Sequence, residues 1–435
     1  MRSPRKLSAL VVLAGLLVAA AGCGGSSSSS GSAATSTSLP AGVTNIVLWH
    51  GYVDTEGKAI NTMVSEFNKT HPKIHVTAQF YGNSDYALQK VLTAIAGGKP
   101  PDISYLYGSW AANIAQSSKV VDLNNFIKSD PSFDWNDFWP SERGAATVDG
   151  KIVGVPALVD NLALVYNKVL FKKAGLAYPT PNWTWQDLRS AAAKLTDPAK
   201  KQFGWAYVND GSEDTVWRFE ALLWQAGGEI LSPDGKQAAF DSPAGVKALT
   251  LLQQMAVQDH SVYLDSGNDL YANLFNSGHI GMLYTGPWDL AGFPNVNFGV
   301  QILPGDQNHQ TISGPDNWVL FNNGSARTEA AWQFISWFTS PKESLEWSQR
   351  TGDLPIRASD LKLAGYQKYV STYPGVATFV QNLKNAQQVR PVTPLYPKIS
   401  AAIGQAVQSV LLGKAQPKQA LDQAASQVNG ILAAP

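Results

Sequence analysis

NIVLWHGYVDTEGKAINTMVSEFNKTHPKIHVTAQFYGNSDYALQKVLTAIAGGKPPDISYLY, residues 45–107, decides the fold. Asn45 to Trp49 is a short apolar run of the strand type. Ile60, Met63, Val64 and Phe67 then recur at i, i+3, i+4 and i+7, which is one face of a helix. His71-Pro72 ends that helix, because proline pushes the residue before it out of the helical region. Ile74 to Tyr81 reads as a second strand. Leu88, Val91, Leu92 and Ile95 form a second helical stripe, stopped by Gly97-Gly98-Lys99-Pro100-Pro101, and Ile103 to Tyr107 is a third strand. Strand, helix, strand, helix, strand in about 60 residues is a βαβαβ unit with a parallel sheet. Such sheets bind ligands beyond the carboxyl ends of their strands. Those ends hold Trp49-His50, Tyr81-Gly82-Asn83 and Tyr107-Gly108-Ser109-Trp110, each mixing aromatic and polar groups.

Further along, Gly154 to Tyr166 reads as one long strand with Asp160-Asn161 in its middle, and Gly281 to Tyr284 as a strand running into Gly286-Pro287-Trp288. Helices are expected near 214–226, 243–258, 328–339, 341–350 and 398–412. Asp102, after two prolines, is expected to open a strand and bond nearby backbone amides.

Upstream of the folded part, Arg2, Arg5 and Lys6 precede an uncharged apolar run from Leu7 to Ala21. That is the layout of a secretory signal peptide, and the run is short of the ~20 residues that span a bilayer. Cys23 is the one cysteine, so no disulfide can form within the chain. The stretch Ala20-Ala21-Gly22-Cys23 resembles a bacterial lipobox, which implies a signal peptide over 1–22 and a lipid on the Cys23 thiol. Residues 23–42 are rich in glycine, serine, alanine and threonine, and form a flexible tether. The whole chain balances 33 basic against 33 acidic residues; the leader takes three basic residues and no acid, leaving the remainder at −3. Such a surface gives no electrostatic reason to bind nucleic acid.

Six histidines offer no metal set: His71 and His75 are four apart, but Pro72 lies between them. No GxSxG, P-loop or GxGxxG is present, so no catalytic, metal or cofactor site is assigned. Paired carboxylates of the glycosidase kind stay open, with Asp102, Asp160 and Asp289 as possible members. The aromatics are the stronger signal. There are 14 Trp and 15 Tyr. Trp332, Phe334, Trp337 and Phe338 fall in a helical stripe and read as packing. Tyr107, Trp110 and Trp288 sit at strand ends beside polar groups, where flat apolar faces with a few polar groups suit a sugar ring.

After the lipobox and tether, the blocks IVLWHGY, AIAGGKPPDISYLYGSW, VPALVDNLALVYNKVLFKKAGL, LLWQAGGEIL, GMLYTGPWDL and TGDLPIR follow in order. Together they resemble the extracellular solute-binding proteins of ABC sugar importers, in the group that includes the maltose-binding protein. The resemblance implies an α/β fold of two lobes around a ligand cleft. Lobe I would be 43–157 with 314–360, and lobe II 163–308 with 365–435. Crossing segments are expected at 158–162, 309–313 and 361–364. It also implies a carbohydrate ligand, a permease partner, a monomer held by its lipid on the outer face of the cytoplasmic membrane, no cofactor and no catalysis. Residue by residue, it implies that Asp160 takes sugar hydroxyls, that Trp288 stacks on sugar, and that Tyr107, Ser109 and Trp110 supply contacts, with Trp217 or Trp224 as a further aromatic. Trp49, His50, Asp85, Asn161, Asn317, Trp318 and Arg357 complete the expected ligand-binding set. The Leu48-Trp49-His50 run is also similar to binding proteins for glycerol phosphate and its choline diester. A phosphate ligand would need a cleft cation, for which Arg357 and Arg390 are candidates. A secreted glycoside hydrolase is the remaining alternative.

Overall fold

The computed structural model describes residues 42–82, 87–267 and 270–434. The expected signal peptide, Cys23 and Asp85 lie outside the described residues.

Two five-stranded sheets organise the chain. The strands are β1 (Thr44–His50), β2 (Ile74–Phe80), β3 (Ile103–Tyr107), the hairpin β4 (Thr147–Val148) and β5 (Lys151–Ile152), β6 (Val155–Leu158), β7 (Ala163–Asn167), β8 (Phe203–Val208), β9 (Val262–Asp265), β10 (Ile280–Thr285), β11 (Phe298–Gln301) and β12 (Asp316–Leu320). The first sheet runs β2-β1-β3-β12-β6 and the second β11-β7-β10-β8-β9. β1 pairs in parallel with β2 and β3, as the opening βαβαβ unit requires, and β12 inserts antiparallel between β3 and β6. In the second sheet β10, β8 and β9 are parallel and β7 is antiparallel. β7 and β10 are buried throughout, as strands covered on both faces are.

The helices fall where the periodicity puts them, at Asp54–Thr70, Ala87–Ala96, Glu213–Gln225, Ser325–Phe338, Pro341–Thr351 and Tyr396–Leu411. Ile60, Met63, Val64 and Phe67 are all buried against the first sheet. The helix over 243–258 is α-helical to Gln253 and closes with a π-turn at Gln254–Gln258. Asp102 accepts the Val47 amide at 2.7 Å and pairs with Arg327.

The expected long strand over 154–166 is two strands in different sheets. β6 ends at Leu158, β7 begins at Ala163, and the chain crosses between the sheets over Val159–Leu162. It returns between β11 and β12. The Thr311 hydroxyl donates to the Leu162 carbonyl at 2.6 Å, Ser313 to the Asp160 carbonyl at 2.8 Å, and the Gly314 amide to Asp160 Oδ1 at 2.7 Å, so these two passages are tied side by side.

The last crossing differs from the expected 361–364. Residues 358–362 form a 3-10 turn in which Asp360 bonds Ser344, and Tyr369 donates to the carbonyls of Gly352 and Asp353. These residues therefore stay with the first sheet's helices. Tyr373 still reaches back, donating to the Gln349 carbonyl. A Cβ on Gly375 would sit 2.2 Å from Val300 of the second sheet. The passage is thus at 373–375, where Gly375 takes φ +90°. Residues from Tyr396 on pack against the helix 213–225 on the second side. Among the described residues no helix is long and apolar enough to cross a membrane.

Candidate functional site

A cavity of about 560 Å3 opens between the two sheets. It lies past the carboxyl ends of β3 and β6 in the first sheet and of β8, β9 and β10 in the second. Register builds its first wall. Asp316, at the amino end of the antiparallel β12, faces Tyr107 on one side and Leu158 on the other. Tyr105 donates its hydroxyl to Asp316 Oδ2. Tyr52 and Glu56 come from the loop after β1 and the first helix turn, with the Tyr52 ring 4.7 Å from Tyr105.

The second wall comes from the helix Glu213–Gln225 and the loops beside it. Ser212 caps that helix by accepting the Asp214 amide. The cap presents Glu213, Asp214, Trp217 and Arg218 to the cavity. Trp288 follows the Gly286-Pro287 turn after β10, its ring 5.8 Å from Trp217. Gly286 is required there, since a Cβ would lie 1.8 Å from the Trp288 ring. Tyr271 completes the wall, under the Arg218 guanidinium at 5.6 Å.

Carboxylates outnumber cations in the lining: Glu56, Asp160, Asp210, Glu213, Asp214 and Asp316 against Arg218 and Arg390. Both cations are already engaged. Arg218 pairs with Asp214 and donates to the Tyr284 carbonyl at 3.2 Å. Arg390 donates to Glu213 at 2.8 Å, and Glu213 also accepts from Tyr396. Burial, then the neighbouring Asp316, pushes the Asp160 carboxyl well above the usual carboxylate range. Burial pushes Asp316 up to about 7, against the bond from Tyr105. Burial and Asp353 raise Glu56. The buried Trp217 Nε1 and the Tyr52 hydroxyl have no protein partner. Unpartnered buried donors are costly, and in a pocket wall a bound molecule can satisfy them.

Of the expected ligand-binding residues, the cavity brings together Tyr107, Asp160, Trp217 and Trp288. The other described members of that set lie elsewhere. His50 is buried against Tyr52 and Phe80, and burial lowers its pKa to about 4, so it is neutral. Trp49 faces the other side of the sheet, with Nε1 on Gln79 at 3.0 Å. Ser109 is buried, and Trp110 backs the Tyr107 ring at 4.5 Å from the core side. Asn161 holds the crossings together, donating to the Phe379 carbonyl and accepting from Asn382. Trp224 is fully buried two turns further along its helix than Trp217, on nearly the same face but beyond the reach of the cavity. Trp318 lies behind Tyr52 and Tyr105 as their packing support, and Asn317 donates to the Ala145 carbonyl. Arg357 is a structural cation: it donates to the carbonyls of Thr339 and Asp134 and stacks over Phe138 at 3.8 Å.

Sequence reasoning did not name Tyr52, Glu56, Asp316 or Tyr271. Tyr52 and Glu56 sit just past the end of β1, a position the strand-end rule reaches. Asp316 and Tyr271 carry no local signal. Among the described residues no group of three or more His, Cys, Asp or Glu could hold a metal.

The model of the bacterial extracellular solute-binding protein family matches residues 53–344. The sn-glycerol-3-phosphate-binding periplasmic protein of Pectobacterium atrosepticum is 26% identical over 417 residues, covering 89% of this chain and 91% of its own. Among solved structures, the cyclic α-maltosyl-1,6-maltose binding protein of Arthrobacter globiformis superposes with a TM-score of 0.76 at 30% identity, over 90% of this chain and 99% of that one. A Listeria monocytogenes ABC substrate-binding protein in complex with cycloalternan gives 0.81 at 29% identity, over 89% and 98%. With a two-lobed α/β fold, a cavity between its sheets and a matching family model over most of its length, the chain belongs to the bacterial extracellular solute-binding proteins.

Proposed function

We propose that this protein captures a carbohydrate, of oligosaccharide size, in the cleft and hands it to the permease of an ABC importer. The observation that carries the ligand class is the pairing of aromatic walls with carboxylates whose lining cations are spent. Trp217 and Trp288 offer flat faces. Asp160 and Asp316 offer oxygens for hydroxyl hydrogen bonds. Arg218 and Arg390 are neutralised by Asp214 and Glu213, which leaves no free guanidinium for a phosphate among the described lining residues. The similar structures of a cyclic α-maltosyl-1,6-maltose binding protein and of a substrate-binding protein in complex with cycloalternan are consistent with this. A ligand touching both walls favours the closed arrangement by its differential affinity for it.

The second reading is glycerol 3-phosphate or its diester. It is favoured by the 26% identical relative and by two guanidiniums lining the cavity. Calorimetric titration separates the two. Neutral oligosaccharides are expected to bind near a micromolar dissociation constant, about −8 kcal/mol, and sn-glycerol 3-phosphate and glycerophosphocholine not to bind. The reverse order overturns the carbohydrate reading. The function is binding without turnover. Product from the tightest-bound glycan on long incubation, abolished by Asp160→Asn, would make the protein a hydrolase. The chain is held to the outer face of the cytoplasmic membrane through a lipid on Cys23 and acts as a monomer.

A further inference from the structure

β2 is an edge strand of the first sheet, and it ends on an aromatic that the fold leaves uncovered. Phe80 is 56% exposed, the most exposed large apolar side chain among the described residues, and Val53 follows at 54%. Both line the ligand cavity. Burying neither gives up the usual gain from covering apolar area. Phe80 also lines a second concavity of about 480 Å3, on the far side of the β2 edge. Its floor and walls are Trp49, Gln79, Tyr81, Gln89, Lys90 and Thr93.

This second concavity has a fixed aromatic centre. Gln79 Oε1 holds the Trp49 indole nitrogen at 3.0 Å, and Tyr81 meets the indole edge-on at 6.4 Å. Lys90 donates to the Tyr81 carbonyl and lies 5.9 Å from its ring. An oriented indole with two amides, an ammonium and a hydroxyl around it is the same chemistry as the cleft, an apolar face with a polar rim.

We propose that this concavity is an outer subsite for carbohydrate, continuous with the cleft over Phe80, and that it takes the overhanging units of an oligosaccharide whose inner units lie between the lobes. The proposal rests on the carbohydrate reading of the cleft. Trp49 is the stacking surface of the outer subsite and Phe80 the bridge. The two subsites make affinity depend on chain length: short ligands engage only the cleft, longer ones both.

Calorimetry on linear malto-, cello- and xylo-oligosaccharides of two to seven units tests this with the full-length protein. The series that binds is expected to tighten with length. Trp49→Ala is expected to remove roughly tenfold in affinity from the longest member and to leave the shortest bound member within twofold. Thr93→Trp, which places a ring in the concavity from an exposed position, is expected to give the same pattern without touching Trp49 or its packing. Trp288→Ala is expected to weaken every length. Affinity independent of length in the parent, or equal losses at all lengths in Trp49→Ala with Thr93→Trp unchanged, overturns the outer subsite while the carbohydrate reading stands. Failure of all three series to bind overturns both.

Discussion

Asp316 supplies a pH test of the cleft's electrostatics. Its carboxyl is buried between Tyr107 and Leu158 with its pKa raised from 3.8 to about 7. A raised acid is protonated in the folded state and ionised in the unfolded state over the window between those values. The folded state then binds more protons, so stability falls with rising pH across that window and is flat above it. The contribution is fully present below about pH 4 and gone once the pH has risen through about 7. Asp316→Asn keeps the shape of the protonated acid and removes the titration. Between pH 5 and pH 8 the parent crosses about two pH units of that window, worth about 1.4 kcal/mol each, so it should lose about 2–3 kcal/mol more than the variant. Asp353, raised by burial to about 6, titrates in both proteins, while Asp160 and Glu56, which the Asp316 charge also raises, are raised less in the variant and widen the difference in the same direction. Urea unfolding of parent and variant at both pH values measures the difference. Stability profiles that run parallel within about 0.5 kcal/mol would refute the reasoning, because Asp316 would then be ionised in the folded protein throughout.

Trp288→Ala should cost roughly 10- to 100-fold in carbohydrate affinity, about 1.4–2.8 kcal/mol, while the ligand-free melting temperature holds; a large fall in melting temperature with unchanged affinity would make the ring a core element. Gly286→Ala should reproduce the affinity loss with the indole intact, because the new Cβ meets the Trp288 ring at 1.8 Å; calorimetry showing normal binding would mean that Trp288 is free to move without consequence. Arg357→Leu should destabilise the fold by about 2–4 kcal/mol by stranding the carbonyls of Thr339 and Asp134 and removing the cation beside Asp137, with affinity per folded molecule unchanged; a specific loss of affinity instead would return Arg357 to the site. Cys23→Ala should move the protein from the membrane fraction to the medium, and retention after a high-salt wash would rule out the lipid anchor.

The opening βαβαβ unit was legible because its strands and helices are separated by strong local punctuation, His71-Pro72 and Gly97 to Pro101. The cleft was legible where a residue follows a strand end. Tyr107 and Trp288 line it for that reason, and Asp160 because it lies in a passage between sheets. The same rule misplaced Trp49 and His50. A strand turns successive side chains to opposite faces, so His50 went inward and Trp49 to the outer side of the sheet. Trp318 and Trp224 look like binding aromatics in composition and are cores in three dimensions, since β12 and the helix 213–225 are buried on nearly every side. Arg357 and Arg390 are equivalent as sequence, and only tertiary placement puts Arg390 in the cavity. The break at Val159–Leu162 was hidden from the residue pattern, because both flanking strands are apolar and the run between them reads as continuous β; only the family resemblance put a crossing at 158–162.

The place of β12 sets the order in which the molecule can be completed. This strand fills the gap between β3 and β6 in the first sheet, yet it lies some 150 residues beyond β6, with the whole second sheet between them. A nascent chain that has emerged through residue 301 has every strand of the second sheet and still lacks the strand that joins β3 to β6. Closing that gap pairs Trp318 with Tyr105 and Val155 across long loops, which is slow because loop closure must precede the contacts that reward it. The amino-terminal third, excised, would lack the strand that completes its sheet, and in the nascent chain that sheet stays unfinished until nearly three quarters of the polypeptide has been made.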